Sequence, residues 1–443
     1  MPFFKKKEKQ KDVATTKYSV EAHKADEIFD NPLGIYNSRV LTQLSGLKNR
    51  NTLFCTKKQD DVDAMIGVIM QSVVRGESII ILDTDNLIYN KTYALLKNNS
   101  YHVKTFDIDD DDSNTWSIFG NLTEKNEYIR KANIVVQTMK SEYLTPQKAS
   151  NTDYVAEVTI ILSALLAYAV AYSLLSSNKF EYLYNLINEN TNENLDRIFE
   201  AAPDTPKSLW FDYKGERFEE EIDDVLNILD ALRKDYTNRM LNDNDINMET
   251  PCVRKTAYFF NFYPDSKEDE NLSLNIILNT TLYRFKKHQD QAKTDFEIKN
   301  LKINYFIANP EQILGLEYFY DELLKTSQSN AYNISTFFIC SDVRAFFDEY
   351  QERAKSLINN MQYIVITSQS EISEGTTKAL LSLSESFPYI EQKNNEQIIV
   401  CNGEVMKCKT YDIRTHTMYK KLRFTNWSID NLVNLWYDIS NVL

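Results

Sequence analysis

The first residues whose types and spacing could do chemistry lie in a turn, Leu53–Asp63 (LFCTKKQDDVD). A strand-like run precedes this turn, and an apolar segment at helical spacing follows it. A strand, a turn and a helix form the setting of a phosphate-binding loop, in which glycines let N–H groups converge on phosphate and a lysine neutralises its charge. This turn has no glycine, and its carboxylates, Asp60, Asp61 and Asp63, would repel a nucleotide. The sequence therefore predicts the frame of a nucleotide-binding unit without its chemistry.

Histidines, cysteines and clustered carboxylates do not predict a second site. The four histidines lie far apart, and the five cysteines lack the spacing of metal ligands. The acidic run Asp109–Asp112 lacks the glycine and the spaced ligands of a calcium loop, so a solvated turn is favoured over a calcium site. We therefore predict no catalytic residue, no metal and no cofactor.

Composition indicates a folded protein of the cytoplasm. Hydrophobic residues make up 43% of the 443 residues, and the net charge of -14 argues against a surface that binds nucleic acid as a whole. An odd number of scattered cysteines is typical of a reducing compartment. The basic run Lys5–Lys11 predicts a solvated tail, with contact to anionic lipid or nucleic acid as the alternative.

The segment Val158–Leu175 has almost the length and apolarity of a membrane-spanning helix. Threonine, serine and tyrosine side chains interrupt it, and strong basic flanks are missing. A buried helix inside a helical region is the favoured interpretation.

Strand-like and helical patterns alternate on both sides of this helical region, which predicts an α/β fold with a parallel, helix-covered sheet. The predicted strands are Thr52–Cys55, Ser78–Leu82, Val103–Phe106, Thr256–Phe262, Ile303–Ala308, Ile334–Ile339 and Tyr363–Thr367. A hairpin at Ile398–Lys407 should follow, because Asn402-Gly403 favours a tight primed turn.

These patterns divide the chain into five predicted parts. They are a flexible lysine-rich tail (1–30), the first part of an α/β nucleotide-binding-like domain (31–123), an all-α domain (124–250), the second part of the α/β domain (251–425) and a C-terminal helix (426–443).

The segment from Ser78 to Phe119 resembles a region of the TraG/TraD-like coupling proteins of conjugative type IV secretion. In that family a buried strand ends in an Asp-Pro-Lys-Gly-Glu-like turn, and a helix carrying Tyr, a Gly-Tyr-x-Val strand and a Ser-Asn-x-Trp-like segment follow. Thr84, Asp85, Asn86 and Leu87 depart from that turn. The matching residues are Asp83, Tyr89, Tyr101, Val103, Ser113, Asn114 and Trp116.

Four further segments resemble, in order, the family's all-α helix, a strand with a Pro-Asp turn, the second nucleotide-site strand with its following helix, and the terminal hairpin. They are Glu157–Tyr168, Ala257–Asp265, Ile303–Leu324 and Ile398–Tyr411. The resemblance implies a RecA-like P-loop NTPase-type parallel sheet interrupted by an all-α domain.

The same resemblance implies which ATPase residues are replaced. The family's Asp-Glu pair, whose acids handle magnesium and the attacking water, corresponds here to Ala308 and Asn309, and a polar Gln corresponds to Cys340. Glu311 is the alternative, displaced acid. The positions of the Gly-Lys-Thr loop are Thr56, Lys57, Lys58, Gln59, Asp60, Asp61, Val62 and Asp63.

From these replacements we expect a catalytically inactive coupling-protein-like subunit, acting as an adaptor or structural partner in DNA or relaxase recruitment. The implied partners are an active coupling ATPase, the relaxase complex or a membrane channel component, in a homo- or hetero-oligomer. The expected location is the cytoplasm, with recruitment to the inner face of the membrane by a partner. The alternatives are an active DNA-translocating ATPase with non-standard site residues and a DNA-binding module without ATP chemistry.

Overall fold

A computed structural model of the chain describes most of its residues. The described residues are 20–24, 30–44, 50–56, 62–107, 113–120, 122, 124–172, 179–212, 218–233, 246–262, 268–313, 315–329, 331–367, 396–401 and 404–419. The basic run Lys5–Lys11, the acidic run Asp109–Asp112, the Asn402-Gly403 turn and the expected C-terminal helix (426–443) lie outside them.

Twelve strands form one mixed sheet in the order β1-β3-β2-β12-β11-β10-β4-β9-β8-β5-β7-β6. Their bounds are β1 Val20–His23, β2 Pro32–Tyr36, β3 Arg39–Gln43, β4 Thr52–Cys55, β5 Ser78–Thr84, β6 His102–Asp107, β7 Thr256–Phe262, β8 Ile303–Ala308, β9 Ile334–Cys340, β10 Tyr363–Thr367, β11 Glu396–Cys401 and β12 Glu404–Lys409. The strands from β10 to β6 in this order pair in parallel, and the others pair antiparallel.

Helices cover both faces of the parallel part. Their bounds are α1 Asp63–Arg75, α2 Leu87–Asn98, α3 Lys125–Tyr143, α4 Pro146–Ser150, α5 Thr152–Ala171, α6 Lys179–Asn188, α7 Asn192–Glu200, α8 Asp204–Asp212, α9 Phe218–Leu232, α10 Thr250–Val253, α11 Glu268–Thr294, α12 Glu317–Gln328 and α13 Val343–Asn359. The apolar residues of α1 and α2 pack on one face. Helices α3 to α13 contribute to the core on the other face.

The central strands are buried at every position, because both of their faces are covered. β5, β8 and β9 show no exposed or half-exposed residue, which is why they read as continuous apolar runs rather than as alternating ones. The predicted strands and the hairpin are all found, with ends displaced by two residues or fewer. The α/β fold with a parallel, helix-covered sheet is therefore confirmed.

Between β6 and β7 every described element is a helix, α3 to α10, and we call this part the helical region. Its helix α5 is long and apolar enough to cross a membrane by length and composition, with a mean hydropathy of 1.9, yet 72% of its most apolar window is buried inside the protein. It begins six residues before the expected segment, at Thr152, where the Asn151 side chain accepts from the Asp153 N–H (3.1 Å). The division of the chain into five parts stays a prediction.

The amino-terminal region corrects one expectation. Val20–His23 is not part of a free tail but the edge strand β1, paired antiparallel with β3. The hairpin of β2 and β3 was also not predicted, although its turn residues Asn37 and Ser38 both have positive φ (48° and 63°), as a tight primed turn requires. These short strands lack a long alternating pattern, so the sequence signal is weak.

A cluster of buried charges ties the amino ends of the parallel strands together. Glu77 precedes β5 and accepts from Arg75 Nη2 (2.7 Å) and from Asn304 Nδ2 of β8 (2.8 Å). Arg50, just before β4, lies 3.6 Å from Glu77 and 2.8 Å from Asp30. Burial alone would raise the pKa of Glu77, but the hydrogen bond and charge of Arg75 hold it below its usual value.

We expect Glu77→Gln to lower the free energy of unfolding by about 3 kcal/mol, because it leaves two buried guanidinium groups without their shared carboxylate. Urea unfolding followed by circular dichroism measures the loss. Lys91→Gln is the matched control: its ion pair with Asp63 is exposed (3.2 Å), so the change should cost less than about 1 kcal/mol. Equal costs for the two variants would contradict a structural role of the cluster.

The segment after β12, residues 410–419, crosses α1 and is called the strap. A Cβ atom added to Gly67 of α1 would lie 3.4 Å from the Tyr411 ring, an ordinary van der Waals distance, so the strap packs directly against this part of α1. His416 Nδ1 accepts from the Met418 N–H (3.1 Å), and Nε2 therefore carries the proton toward Gln71 Oε1 (3.0 Å). Burial lowers the pKa of His416 to about 4.

We expect the strap to make the protein acid-sensitive between pH 6.5 and 4. The unfolded chain binds a proton at its histidine below about pH 6.5, whereas the folded chain does so only near pH 4. Stability is therefore lost as the pH falls through this window, by up to about 3 kcal/mol. Urea unfolding from pH 7 to 4 should show a steeper decline for the wild type than for His416→Asn; parallel declines would refute the assignment.

Candidate functional site

The turn between β4 and α1 stands where a phosphate-binding loop would lie, and its described residues offer no phosphate ligand. Thr56 is buried, and its N–H donates to the Cys340 carbonyl of β9 (2.9 Å). Val62 is fully buried at the start of α1. Asp63, the first residue of α1, is exposed and pairs with Lys91. The positions from Lys57 to Asp61 lie outside the described residues, so their predicted loss of function stays a prediction.

The end of β8, where the resemblance expects two acids, is apolar and closed. Ala308 is buried, and its carbonyl accepts from Thr84 Oγ1 (3.1 Å). Asn309 follows in the left-handed region (φ 47°), and its N–H donates to the Ile339 carbonyl (2.8 Å). Asparagine tolerates this backbone conformation better than most residues, so the backbone geometry favours an asparagine at position 309.

Glu311 lies two residues after Asn309; its Oε1 atom is hydrogen-bonded at the start of α13, whereas its buried Oε2 atom has no hydrogen-bond partner. Oε1 accepts from the Ser341 N–H (2.8 Å), from Ser341 Oγ (2.6 Å) and from the Asp342 N–H (3.0 Å). These donors lie directly before α13, so the carboxylate satisfies N–H groups at a helix start. The geometry favours a structural role for Glu311 over that of a displaced catalytic acid.

Cys340 and Cys55 lie side by side at this edge as register partners of β9 and β4. Both thiols are buried and free. Burial, and then the nearby charge of Glu311, raises the pKa of both thiols well above the usual range. They are therefore unreactive thiols that act as small apolar groups.

Asp83 and Tyr89, which match the family, hold the start of α2. Asp83 is fully buried. Its carboxylate accepts from the Ile88 N–H (2.9 Å) and the Tyr89 N–H (2.7 Å), which satisfies orphan donors of the helix. The Tyr89 ring packs edge-on against Phe259 of β7 (5.1 Å between centroids).

Asn114 and Trp116 have different structural roles near β6, the last strand of the sheet. Asn114 covers the outer edge of β6: its Oδ1 accepts from the Thr105 N–H (3.2 Å) and its N–H donates to the Thr105 carbonyl (2.9 Å). The neighbouring Ser113 accepts from the Asp107 N–H (2.7 Å). Trp116 is buried beneath Lys131, whose Nζ lies 5.0 Å from the ring centroid. Asp83, Tyr89, Asn114 and Trp116, four of the seven family-matching residues, thus serve the fold.

A cavity of about 550 Å³ opens beside the start of α1. Apolar side chains from the sheet form much of its wall, and the strap closes it. Sequence reasoning missed this cavity because residues from five distant segments form it. The lining residues are Pro32, Leu33, Ile35, Phe54, Thr56, Asp63, Ala64, Val365, Thr367, Gln397, Lys409, Thr410, Tyr411, Asp412, Ile413, Arg414 and Tyr419.

Among the described residues of the cavity wall, two acids and two bases balance in charge. Arg414 holds Asp412 by two bonds (2.8 and 2.7 Å), and Asp63 and Lys409 are the other two charges. Burial raises the pKa of Tyr411 to about 12, and its hydroxyl lacks a hydrogen-bond partner by distance and angle. A polyanion such as a triphosphate would find little net positive charge here.

Across the described part of the chain, no group of three or more His, Cys, Asp or Glu side chains is placed to hold a metal ion. The structure thus brings Thr56, Cys340 and Glu311 together at the carboxyl edge of β4, β8 and β9. Asp83 lies at the carboxyl end of the next strand, β5, whereas Tyr89, Asn114 and Trp116 lie on α2 and on the segment after β6.

Comparison with known proteins shows which architecture this is. The sequence matches no protein-family model, and no curated protein sequence is significantly similar to it. Among solved structures, the bacterial conjugative coupling protein TrwBΔN70 in a sulphate complex is 12% identical, with a TM-score of 0.57 over 84% of this chain and 87% of that one. TrwB with ADP and Mg²⁺ is 11% identical, with a TM-score of 0.54 over 82% and 85%.

VirB4 of Thermoanaerobacter pseudethanolicus is 12% identical, with a TM-score of 0.55 over 86% of this chain and 96% of that one. Identities this low show a shared fold. The strand order and these similarities together confirm the RecA-like P-loop NTPase-type sheet that the resemblance implied.

Proposed function

We propose that this chain is a catalytically inactive, coupling-protein-like subunit of a conjugative type IV secretion system. One observation carries the proposal: at the end of β8 the expected acids are Ala308 and Asn309, and the adjacent Glu311 is hydrogen-bonded to the start of α13. Both acids expected at the end of β8 are thus replaced, and Glu311 keeps only its buried Oε2 atom without a hydrogen-bond partner.

The size of the missing contributions supports this proposal. Phosphoryl transfer depends on positioning and on charge stabilisation by magnesium, a lysine and a water-orienting residue. Each such group contributes about 3 kcal/mol or more to transition-state stabilisation, and about 1.4 kcal/mol corresponds to a tenfold change in rate. The joint replacement of several groups leaves negligible hydrolysis.

A subunit without this chemistry acts through its surfaces. Its fold is similar to that of a conjugative coupling protein and of VirB4. We propose that it is an adaptor or structural partner in recruiting DNA or relaxase. Its partner is an active coupling ATPase, the relaxase complex or a membrane channel component, and it works at the cytoplasmic side of the membrane.

A second candidate, a nucleotide-binding protein with non-standard ligands, is favoured by the cavity beside α1. Its volume of about 550 Å³ is large enough for a small ligand. TrwB has been solved with ADP and Mg²⁺. The balanced charges of the cavity wall and the acid at Asp63 weigh against the phosphate part of such a ligand.

We expect no saturable binding of MgATP to the purified chain up to millimolar concentration, and no hydrolysis above a no-protein blank. Isothermal titration calorimetry and phosphate release measure the two quantities, with an active coupling ATPase as the positive control. Micromolar binding of MgATP would overturn the proposal in favour of the second candidate.

We expect Glu311→Ala to lower the free energy of unfolding by about 1 to 3 kcal/mol, because it leaves N–H groups at the start of α13 without an acceptor. Glu311→Gln keeps one oxygen and should cost less. Chemical unfolding of both variants measures the effect. A neutral Glu311→Ala change would show that the carboxylate is kept for a purpose other than stability.

A further inference from the structure

A second polar group lies at the carboxyl edge of the sheet, on β5, which is the strand next to β8, and on the two strands beyond it. Asp83 of β5, Asn261 of β7 and Asp107 of β6 are register partners in three adjacent parallel strands. The apolar residues two positions earlier in β5 and β7 pack on the α1–α2 face, so alternation places all three polar side chains on that face. They are 0%, 5% and 6% exposed, respectively.

The middle residue, Asn261, carries an orphan acceptor. Its Nδ2 donates to Asp107 Oδ2 (3.3 Å), whereas its buried Oδ1 has no hydrogen-bond partner. Rotating the amide by half a turn would set its oxygen against the Asp107 carboxylate, so the contact with Asp107 fixes the orientation. Buried polar atoms normally have partners, and an exception points to an unrecorded water or ion.

Asp83 adds buried negative charge on the other side of Asn261. Its two oxygens each accept one N–H from α2, and a carboxylate has about four lone-pair sites, so acceptor capacity remains. No described Lys or Arg forms an ion pair with Asp83. Buried charges are normally paired or bound to a metal ion.

We propose that the carboxyl ends of β5, β7 and β6 bind one hard divalent cation, Ca²⁺ or Mg²⁺, with Asn261 Oδ1 and the carboxylates of Asp83 and Asp107 as ligands. Oxygen-only ligands of this kind suit these two ions and not zinc, which takes nitrogen and sulfur. The cation supplies the partner that Oδ1 lacks and neutralises the buried carboxylate of Asp83. This site is independent of the proposed function and needs no nucleotide.

The test uses the full chain, first freed of metal with a chelator. Thermal unfolding and calorimetric titration are measured with Ca²⁺ and with Mg²⁺ separately, in wild type and in Asn261→Leu. The leucine keeps the volume and removes the orphan oxygen. We expect stabilisation of the wild type by at least one of the two ions, and binding at least about tenfold weaker in Asn261→Leu. No stabilisation of the wild type, or equal binding by both proteins, overturns the site.

Two further variants keep the result interpretable. Asn261→Asp retains a ligand oxygen but adds charge, so it should be less stable than the wild type without metal and regain stability with it. Replacing Asp109, Asp110, Asp111 and Asp112 with asparagine removes the neighbouring acidic run, and binding should persist. Loss of binding in this quadruple variant with retention in Asn261→Leu would place the ion in the run and refute the proposal.

Discussion

The buried carboxylate of Glu77 is the interaction on which the arrangement of the sheet depends. It contacts Arg75 at the end of α1, Arg50 before β4 and Asn304 of β8. This one side chain therefore links the amino ends of β4, β5 and β8. Charged groups with so little exposure persist only when their partners are well placed. Because this anchor lies at the amino ends of the strands, the carboxyl ends can change their chemistry without loss of the fold.

That separation allows the frame of a nucleotide-binding unit to carry different residues at its carboxyl edge. At the carboxyl edge, small or neutral residues have taken the space: Ala308, Asn309 and the thiols of Cys55 and Cys340 are all buried. The carboxylate of Glu311, retained nearby, is held through its Oε1 atom by the start of α13. The described residues at this edge are therefore closely packed.

The parallel strands could be predicted from sequence because a strand that is buried on both faces has a continuous apolar run, as in Ser78–Thr84. The edge strand Val20–His23 could not be, since a short edge strand is defined by its neighbour rather than by its own pattern. Site positions were harder still. The resemblance to the coupling proteins indicated Ala308 and Cys340 as site positions. Only the structure shows that Glu311 bonds to Ser341, thirty residues away, and that Tyr411 lines a cavity beside α1.

Ser113 and Asn114 cover the outer edge of β6, and this cover affects how the protein can associate with other chains. A twelve-stranded sheet is longer than most open sheets, and each bare edge is a template on which another chain can pair. Ser113 and Asn114 form hydrogen bonds with the backbone groups of Thr105 and Asp107 at the outer edge of β6. The strand pairing of the sheet therefore ends at β6. The backbone groups of Thr105 and Asp107 are thereby already hydrogen-bonded and cannot pair with a strand of another chain, which works against self-association through β6.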